Sequence, residues 1–281
     1  MTTFSLLAQL PACDRSLRGW PWTEETSPAE YASPPLGGWP RVTIVCPSFN
    51  QGAYLEETMR SVLLQNYPDL EFIVMDGGST DATVDHLKRY SPWITYWESQ
   101  PDHGQSHALN KGFARATGDI LGWINSDDYY QPGALAAVGR AFRETPRALL
   151  YGDWCEREES APGLITHHER PAFAFQVAAG GRTLPSHATF WPRSAHQPVD
   201  ERLRFTMDAE LFKRLAASGL RPRHLARPLG VFRRHAEAKT STIIEVARAE
   251  TAAWSRTQPW HTHWRWLASR ALDRMRSLFA R

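Results

Sequence analysis

Apolar positions change period several times along this chain, and the changes mark out its elements. Residues 42–47 form a short β-branched run stopped by proline, the pattern of a strand buried on both faces. Leu55, Met59, Val62 and Leu63 then recur at i, i+4, i+7 and i+8, which predicts an amphipathic helix over 53–66. Residues 70–75 predict a second buried strand, ended by Asp76-Gly77-Gly78, and 81–90 a helix with Thr80 or Asp81 as its cap. A third strand is expected around 94–98, a helix at 105–116, a fourth strand over 119–125, and then a helix with Pro132 at its start. Beyond about 150 the pattern becomes irregular. A short strand within 185–192, a helix over 207–219 and an extended segment at 225–234 are the readable pieces. Strands alternating with helices imply an α/β fold, a mostly parallel sheet with helices on both faces.

Composition narrows the partners. The 281 residues carry 32 Lys and Arg against 30 Asp and Glu, a formal charge of +2, so bulk electrostatics make no case for nucleic acid. Cys13, Cys46 and Cys155 are odd in number and lie in no metal spacing, which fits reduced thiols in a cytoplasmic protein. No basic segment followed by an apolar core marks a leader, and no run of about 18 apolar residues marks a membrane span. Residues 1–40, rich in Pro, Ser, Thr and Glu, read as a partly disordered extension feeding a domain at 41–240. At 241–281 a helical tail is expected. Leu267, Ala271, Leu272, Met275, Leu278 and Phe279 share one stripe, with Arg270, Arg274, Arg276 and Arg281 elsewhere and Trp260, Trp264 and Trp266 ahead of it. Such a helix either lies on an anionic membrane or packs on its own domain or a partner, and both readings stay open.

Parallel sheets bind ligands at the carboxyl ends of their strands, and those ends are polar here. Asn125-Ser126-Asp127-Asp128 brings hard oxygen ligands to one point, suited to Mg²⁺ or Mn²⁺. Equally, Asp127 or Asp128 could cap the helix that begins near Pro132. Asp76-Gly77-Gly78-Ser79 permits close approach of a nucleoside, or is an ordinary strand-to-helix turn. Asp208 and Glu210, with Arg214 four residues after Glu210, by themselves read first as a stabilised helix start. His235 is a metal or phosphate candidate, with Lys239 nearby to neutralise phosphate; alone, both suit a solvated basic loop. His167 and His168 point to opposite faces of a strand, and Ser106-His107 is no triad. The joint occurrence of polar turns after three strands and a later acid pair weighs towards chemistry.

Three stretches carry a family resemblance: Val42-Thr43-Ile44-Val45-Cys46-Pro47-Ser48-Phe49-Asn50, Phe72-Ile73-Val74-Met75-Asp76-Gly77-Gly78-Ser79-Thr80-Asp81, and Asp102-His103-Gly104-Gln105-Ser106-His107-Ala108-Leu109-Asn110-Lys111-Gly112, running on to Asp128. From about Trp39 to Arg234 the chain resembles the family 2 glycosyltransferases, with their Rossmann-like GT-A fold. The resemblance implies inverting transfer of a sugar from a nucleoside diphosphate, most commonly UDP, to an acceptor hydroxyl of a saccharide or lipid-linked saccharide. It implies a nucleotide-binding half at 41–130 and an acceptor-binding half at 131–240. Pro47, Ser48, Asn50, Asp76, Gly78, Asn110, Lys111, Ser126 and Arg214 would hold the donor. Asp127, with His235, would hold a divalent cation, and Asp208 would be the general base. Asn125 stands where the family's Asp-x-Asp motif has its first acid, and Met207 where a glutamate precedes the base. Those departures leave room for a second class of function, a non-catalytic nucleotide-sugar-binding or scaffold subunit. A sugar-phosphate nucleotidylyltransferase is disfavoured, because Ser48-Phe49-Asn50-Gln51-Gly52 is not a glycine-rich basic loop. An acceptor on the inner face of the membrane would suit a peripheral location.

Overall fold

The structure, a computed structural model, describes residues 5–14, 16–161, 165–169 and 184–257. Among the described residues nine strands form one sheet in the order β3-β2-β1-β4-β8-β6-β9-β5, with β7 beside β6. β1 (Val42–Ser48), β2 (Leu70–Asp76), β3 (Tyr96–Ser99) and β4 (Ile120–Trp123) run parallel. The later strands β5 (Tyr129–Tyr130), β6 (Ala148–Glu158), β7 (Ile165–His168), β8 (Thr189–Pro192) and β9 (Arg221–Arg234) mix directions. β8 is antiparallel to both β4 and β6, while β9 is parallel to β6 and antiparallel to β5. Reversal at β4–β8 puts a topological switch beside the carboxyl end of β4, where ligands bind in such sheets.

Alternation along the central strands assigns each residue to one of two cores. Ile44, Phe72, Val74 and Ile120 face the layer of α1 (Gly52–Leu63), α2 (Thr83–Tyr90) and α4 (Ala134–Glu144). Val45, Ile73, Met75, Leu121 and Trp123 face α3 (Gln105–Phe113) and α5 (Met207–Ala217). Gly112 lets α3 sit close, since a Cβ there would come 2.4 Å from Val45 Cγ1. Two helices complete the described chain, α6 (Lys239–Thr242) and α7 (Ile244–Thr257). No helix among the described residues is long and apolar enough to cross a membrane. The apolar stripe and tryptophans expected in the tail lie outside the described residues.

Two expectations change. α4 begins at Ala134 after Gly133, whose φ is +70°, and no side chain caps it. Pro132 therefore precedes the helix, and neither Asp127 nor Asp128 is its cap. The extension at 1–40, expected to be partly disordered, packs on the domain through several of its described residues. Arg60 of α1 is buried and donates to the carbonyl oxygens of Pro11, Pro21 and Trp22 at 3.0–3.1 Å, and to the Tyr90 hydroxyl. Trp20 Nε1 reaches the Tyr130 carbonyl at 2.7 Å. A buried guanidinium needs acceptors, and the extension supplies three of them as backbone carbonyls.

Candidate active site

The strand ends surround a cleft of about 950 Å³ on the carboxyl side of the sheet. Its first wall comes from the loops after β1 and β2, which bind each other. Asn50, at φ +51°, donates its N–H to Ser79 Oγ (2.7 Å) and accepts from Thr80 N–H (2.9 Å). Asp81 receives the N–H groups of Gly52 (2.8 Å) and Thr83 (3.0 Å), so one carboxylate serves the starts of both α1 and α2. Asp76 is buried and accepts from Gly78 N–H, Ser79 N–H, Ser79 Oγ and Ser99 Oγ at 2.5–3.2 Å. Those bonds leave Gly77 facing Asp102, where a Cβ would come 3.0 Å from the carboxylate. Phe49, 60% exposed, stands at the lip of the cleft, and the buried Ser48 hydroxyl has no partner among the described residues.

The floor is the segment after β4. Thr58 Oγ1 donates to the carbonyls of Ser126 (3.0 Å) or Asp128 (2.6 Å), pinning the turn from beneath. Asp128 is fully buried and accepts from the Arg233 N–H (3.0 Å) and Asn125 Nδ2 (3.1 Å). Asp127 lies nearer the cleft, with Oδ2 3.1 Å from His235 Nε2. Burial, reinforced by the charge of Asp128, pushes its carboxyl above the usual carboxylate range, while His235 pulls the other way. Arg233 holds the pair in place. Its Nε donates to the Asp127 carbonyl (2.7 Å), its other nitrogens pair with Glu57 (2.6 Å) and Glu159 (3.1 Å), and its guanidinium lies 4.9 Å from the Tyr54 ring centre. Buried charges persist when paired this completely.

Facing this floor is the start of α5. Asp208 lines the cleft, its Oδ1 accepting the Ala209 N–H at 2.7 Å. Lys239 Nζ donates to Gln105 Oε1 (2.6 Å) and to the Arg204 carbonyl (3.0 Å), and Gln105 Nε2 donates to Asn125 Oδ1 (2.7 Å). Partial desolvation of the ammonium, with the like charge of Arg204, brings Lys239 down to about 8.

A model of glycosyl transferase family 2 matches residues 43–196, more than half of the chain, including the strand ends that build the floor and first wall. The chain belongs to glycosyltransferase family 2. Among its relatives is the uncharacterized glycosyltransferase Rv1514c of Mycobacterium tuberculosis, 35% identical over 159 residues, 55% of this chain and 60% of that protein. The chain thus spans less than two thirds of that relative. Among solved folds, residues 1–349 of TarS from Staphylococcus aureus, in complex with UDP-GlcNAc, superpose with a TM-score of 0.61 at 16% identity, covering 80% of this chain and 69% of that one. The mannosyltransferase PcManGT from Pyrobaculum calidifontis, in complex with GDP-Man and Mn²⁺, gives 0.56 at 20%, covering 83% and 66%. The fold is accordingly the expected GT-A arrangement.

Not every residue expected to bind in this family 2 chain reaches the cleft. Pro47, Ser48, Ser126, Asp127 and Asp208 line it, and His235 touches Asp127. Asn50, Asp76 and Gly78 shape the loops behind its wall; the Asp76 carboxylate is occupied by three donors of its own turn and by Ser99 Oγ at the end of β3. Asn110 is turned to Val199 and Glu201, Lys111 to Glu98, and Arg214 to Glu210, Gln197 and Pro198. These contacts turn the three side chains to the scaffold rather than to the cleft. Conversely, Arg233, Glu57, Gln105 and His187 were missed. Gln105 sits inside the Asp102–Gly112 stretch and so left some signal, whereas Glu57 lies off the Leu55, Met59, Val62 and Leu63 stripe and left none. His187 lies 3.5 Å from Asp128, and nothing in its neighbours in sequence marks it.

The donor set fits a divalent cation that takes most of its ligands from elsewhere. Among the described residues no cluster of three or more His, Cys, Asp or Glu forms a closed site. Asp127 and His235 offer one carboxylate and one imidazole, and the buried His235 Nδ1 has no partner there. A hard cation of this kind commonly relies on substrate phosphate oxygens for the remainder.

Proposed function

We propose that this chain is an inverting transferase that moves a hexose from a nucleoside diphosphate, UDP in the first instance, to the hydroxyl of a saccharide or lipid-linked saccharide in polysaccharide or glycolipid synthesis. The observation that carries the reading is that Asp127, in contact with His235, and Asp208 line one cleft. The nucleoside enters over Ser48 and Phe49, and its diphosphate reaches Asp127, His235 and Lys239. A divalent cation held by Asp127 and His235 would offset the charge on the departing diphosphate. Asp208 receives the proton of the acceptor hydroxyl as its oxygen bonds to the anomeric carbon, and the bond to phosphate breaks with its electron pair on the leaving oxygen. Attack opposite the leaving group inverts that carbon. Complexes of TarS with UDP-GlcNAc and of PcManGT with GDP-Man and Mn²⁺ support this choice of donor class and cation.

The test uses UDP, GDP, UDP-glucose, UDP-N-acetylglucosamine and GDP-mannose, each with and without Mn²⁺, read by thermal shift and by nucleoside diphosphate release in the presence of methyl glycosides. One nucleotide should raise the melting temperature only with metal, and Asp127→Ala should remove that shift. Asp208→Asn should lower release by about 10²- to 10⁴-fold while the nucleotide shift persists. Binding without release by the unaltered chain would favour the scaffold reading, and no shift with any nucleotide would sink donor binding altogether.

A further inference from the structure

The start of α5 is held from outside the region that matches the family. Glu250, on α7, directs its carboxylate at three consecutive backbone donors: Arg204 N–H (2.8 Å), Phe205 N–H (3.0 Å) and Thr206 N–H (2.9 Å). It also accepts from Thr206 Oγ1 at 3.1 Å. Thr206 is the residue immediately before α5, and its own side chain makes no capping bond. The first turn of a helix leaves N–H groups without partners, and here a carboxylate from a distant helix serves the approach to that turn. Burial opposes ionisation of Glu250, but the bonds from Arg204, Thr206 and Phe205 outweigh it and hold the carboxyl below its usual range. The same segment is gripped at its carbonyls, where Ser106 Oγ donates to Leu203 (2.9 Å) and Lys239 Nζ to Arg204. Asp208 follows two residues later and faces the cleft, as does Thr251 beside Glu250.

We propose that Glu250 is a positioning residue for Asp208: its carboxylate fixes the 204–206 segment, and with it the direction in which the first turn of α5 presents the Asp208 side chain to the acceptor hydroxyl. Helix α7 is on this view part of the acceptor side of the active site, acting there through the backbone that Glu250 holds. This rests on Asp208 being the base. Misplacement of a reacting group by about 1 Å can cost roughly 10²-fold in rate, so the expected loss is kinetic rather than thermodynamic.

The experiment compares the full chain with Glu250→Ala, Glu250→Gln, Asp208→Asn and the Glu250→Ala, Asp208→Asn pair. Readouts are nucleoside diphosphate release with whichever donor of the panel the unaltered chain turns over, UDP affinity with Mn²⁺, and hydrogen exchange at the amides of 204–206. Glu250→Ala should lower kcat by about 10- to 100-fold with UDP affinity unchanged within twofold, and expose those amides. Added acetate should restore part of both, which damage to the fold would not allow. Glu250→Gln, retaining one carbonyl acceptor, should lie between, and Glu250→Ala should cost nothing further once Asp208 is Asn. Unchanged kcat in Glu250→Ala, or a loss that acetate leaves untouched and UDP affinity shares, overturns the inference. If Asp208→Asn itself keeps its rate, the base assignment falls instead; no release by the unaltered chain sinks the transferase reading and this inference together.

Discussion

The two sides of the cleft are built by different rules. On the side proposed for the donor, contacts are made between neighbouring strand ends: Asn50 with Ser79 and Thr80, Asp81 with Gly52 and Thr83, Asp76 with its own turn. On the side proposed for the acceptor, the start of α5 is secured by Ser106, Lys239 and Glu250, which come from three separate helices. A wall whose loops satisfy one another is preorganised as soon as its strands pair. A wall held by outlying helices depends on the last parts of the chain to dock. The lesson is that the loops proposed to hold the nucleotide are secured by bonds to one another, while the start of α5 is secured by bonds from other helices.

Removing the residue that joins the sides should have the largest effect. Arg233 belongs to β9 of the second half, yet its Nε holds the Asp127 carbonyl of the first. Arg233→Met leaves Glu57 buried without one of its cations, although Arg157 Nη1 at 3.2 Å remains. A loss of about 3–5 kcal/mol in unfolding free energy is expected by denaturant titration, together with a weaker metal-dependent nucleotide shift. Stability loss without any change in nucleotide binding would show that the two sides are less joined than the bonds suggest.

Gly112→Ala presses directly on the contact of α3 with β1. The added methyl meets Val45 Cγ1 across the α3–β1 contact, and overpacking of this kind costs about 1–3 kcal/mol. Thermal unfolding should register it, while hydrogen exchange at 204–206 stays as it was. Exchange spreading to those amides would mean that the two walls melt together.

Lys239→Met should have the smallest effect, confined to the acceptor side and the diphosphate. Donor affinity should fall by about 1 kcal/mol, roughly fivefold. The pH dependence is more telling. Desolvation brings the Lys239 ammonium down to about 8 in the folded chain, below the ordinary lysine value of about 10.4, so the unfolded chain binds more protons between those limits. Stability should therefore rise with pH across that window, and kcat/KM for the donor should fall as the ammonium is lost above about pH 8. Lys239→Met should flatten both curves; identical profiles in the two proteins would exclude Lys239 from the diphosphate site.

Legibility in the sequence follows the same division. β1 and β2 are continuous apolar runs, so burial on both faces shows in their composition, and Asp127 and Asp208 stand in recognisable motifs. By contrast β6 ends in Asp153, Glu156, Arg157 and Glu158, and β9 contains Pro222, Pro228 and several arginines. Both are strands because they pair with each other over eleven positions, not because their residues favour it. Arg233 and Glu250 were invisible for a related reason: their partners lie 106 and 44–46 residues away, and no local spacing announces such contacts. Asn110, Lys111 and Arg214 show the converse, since matching a motif says nothing about whether a side chain turns to the cleft or to the scaffold.

The indole of Trp20 has a consequence for synthesis. Its acceptor, the Tyr130 carbonyl, is 110 residues further along the chain. At the usual pace of about 5–20 residues per second, a ribosome needs roughly 5–20 s to deliver that partner. Until then Trp20 and its neighbours remain exposed to chaperones and proteases, and Arg60 has only part of its final surroundings. Ribosomal pausing between these points would lengthen the window in which a nascent chain is vulnerable, and faster decoding would shorten it.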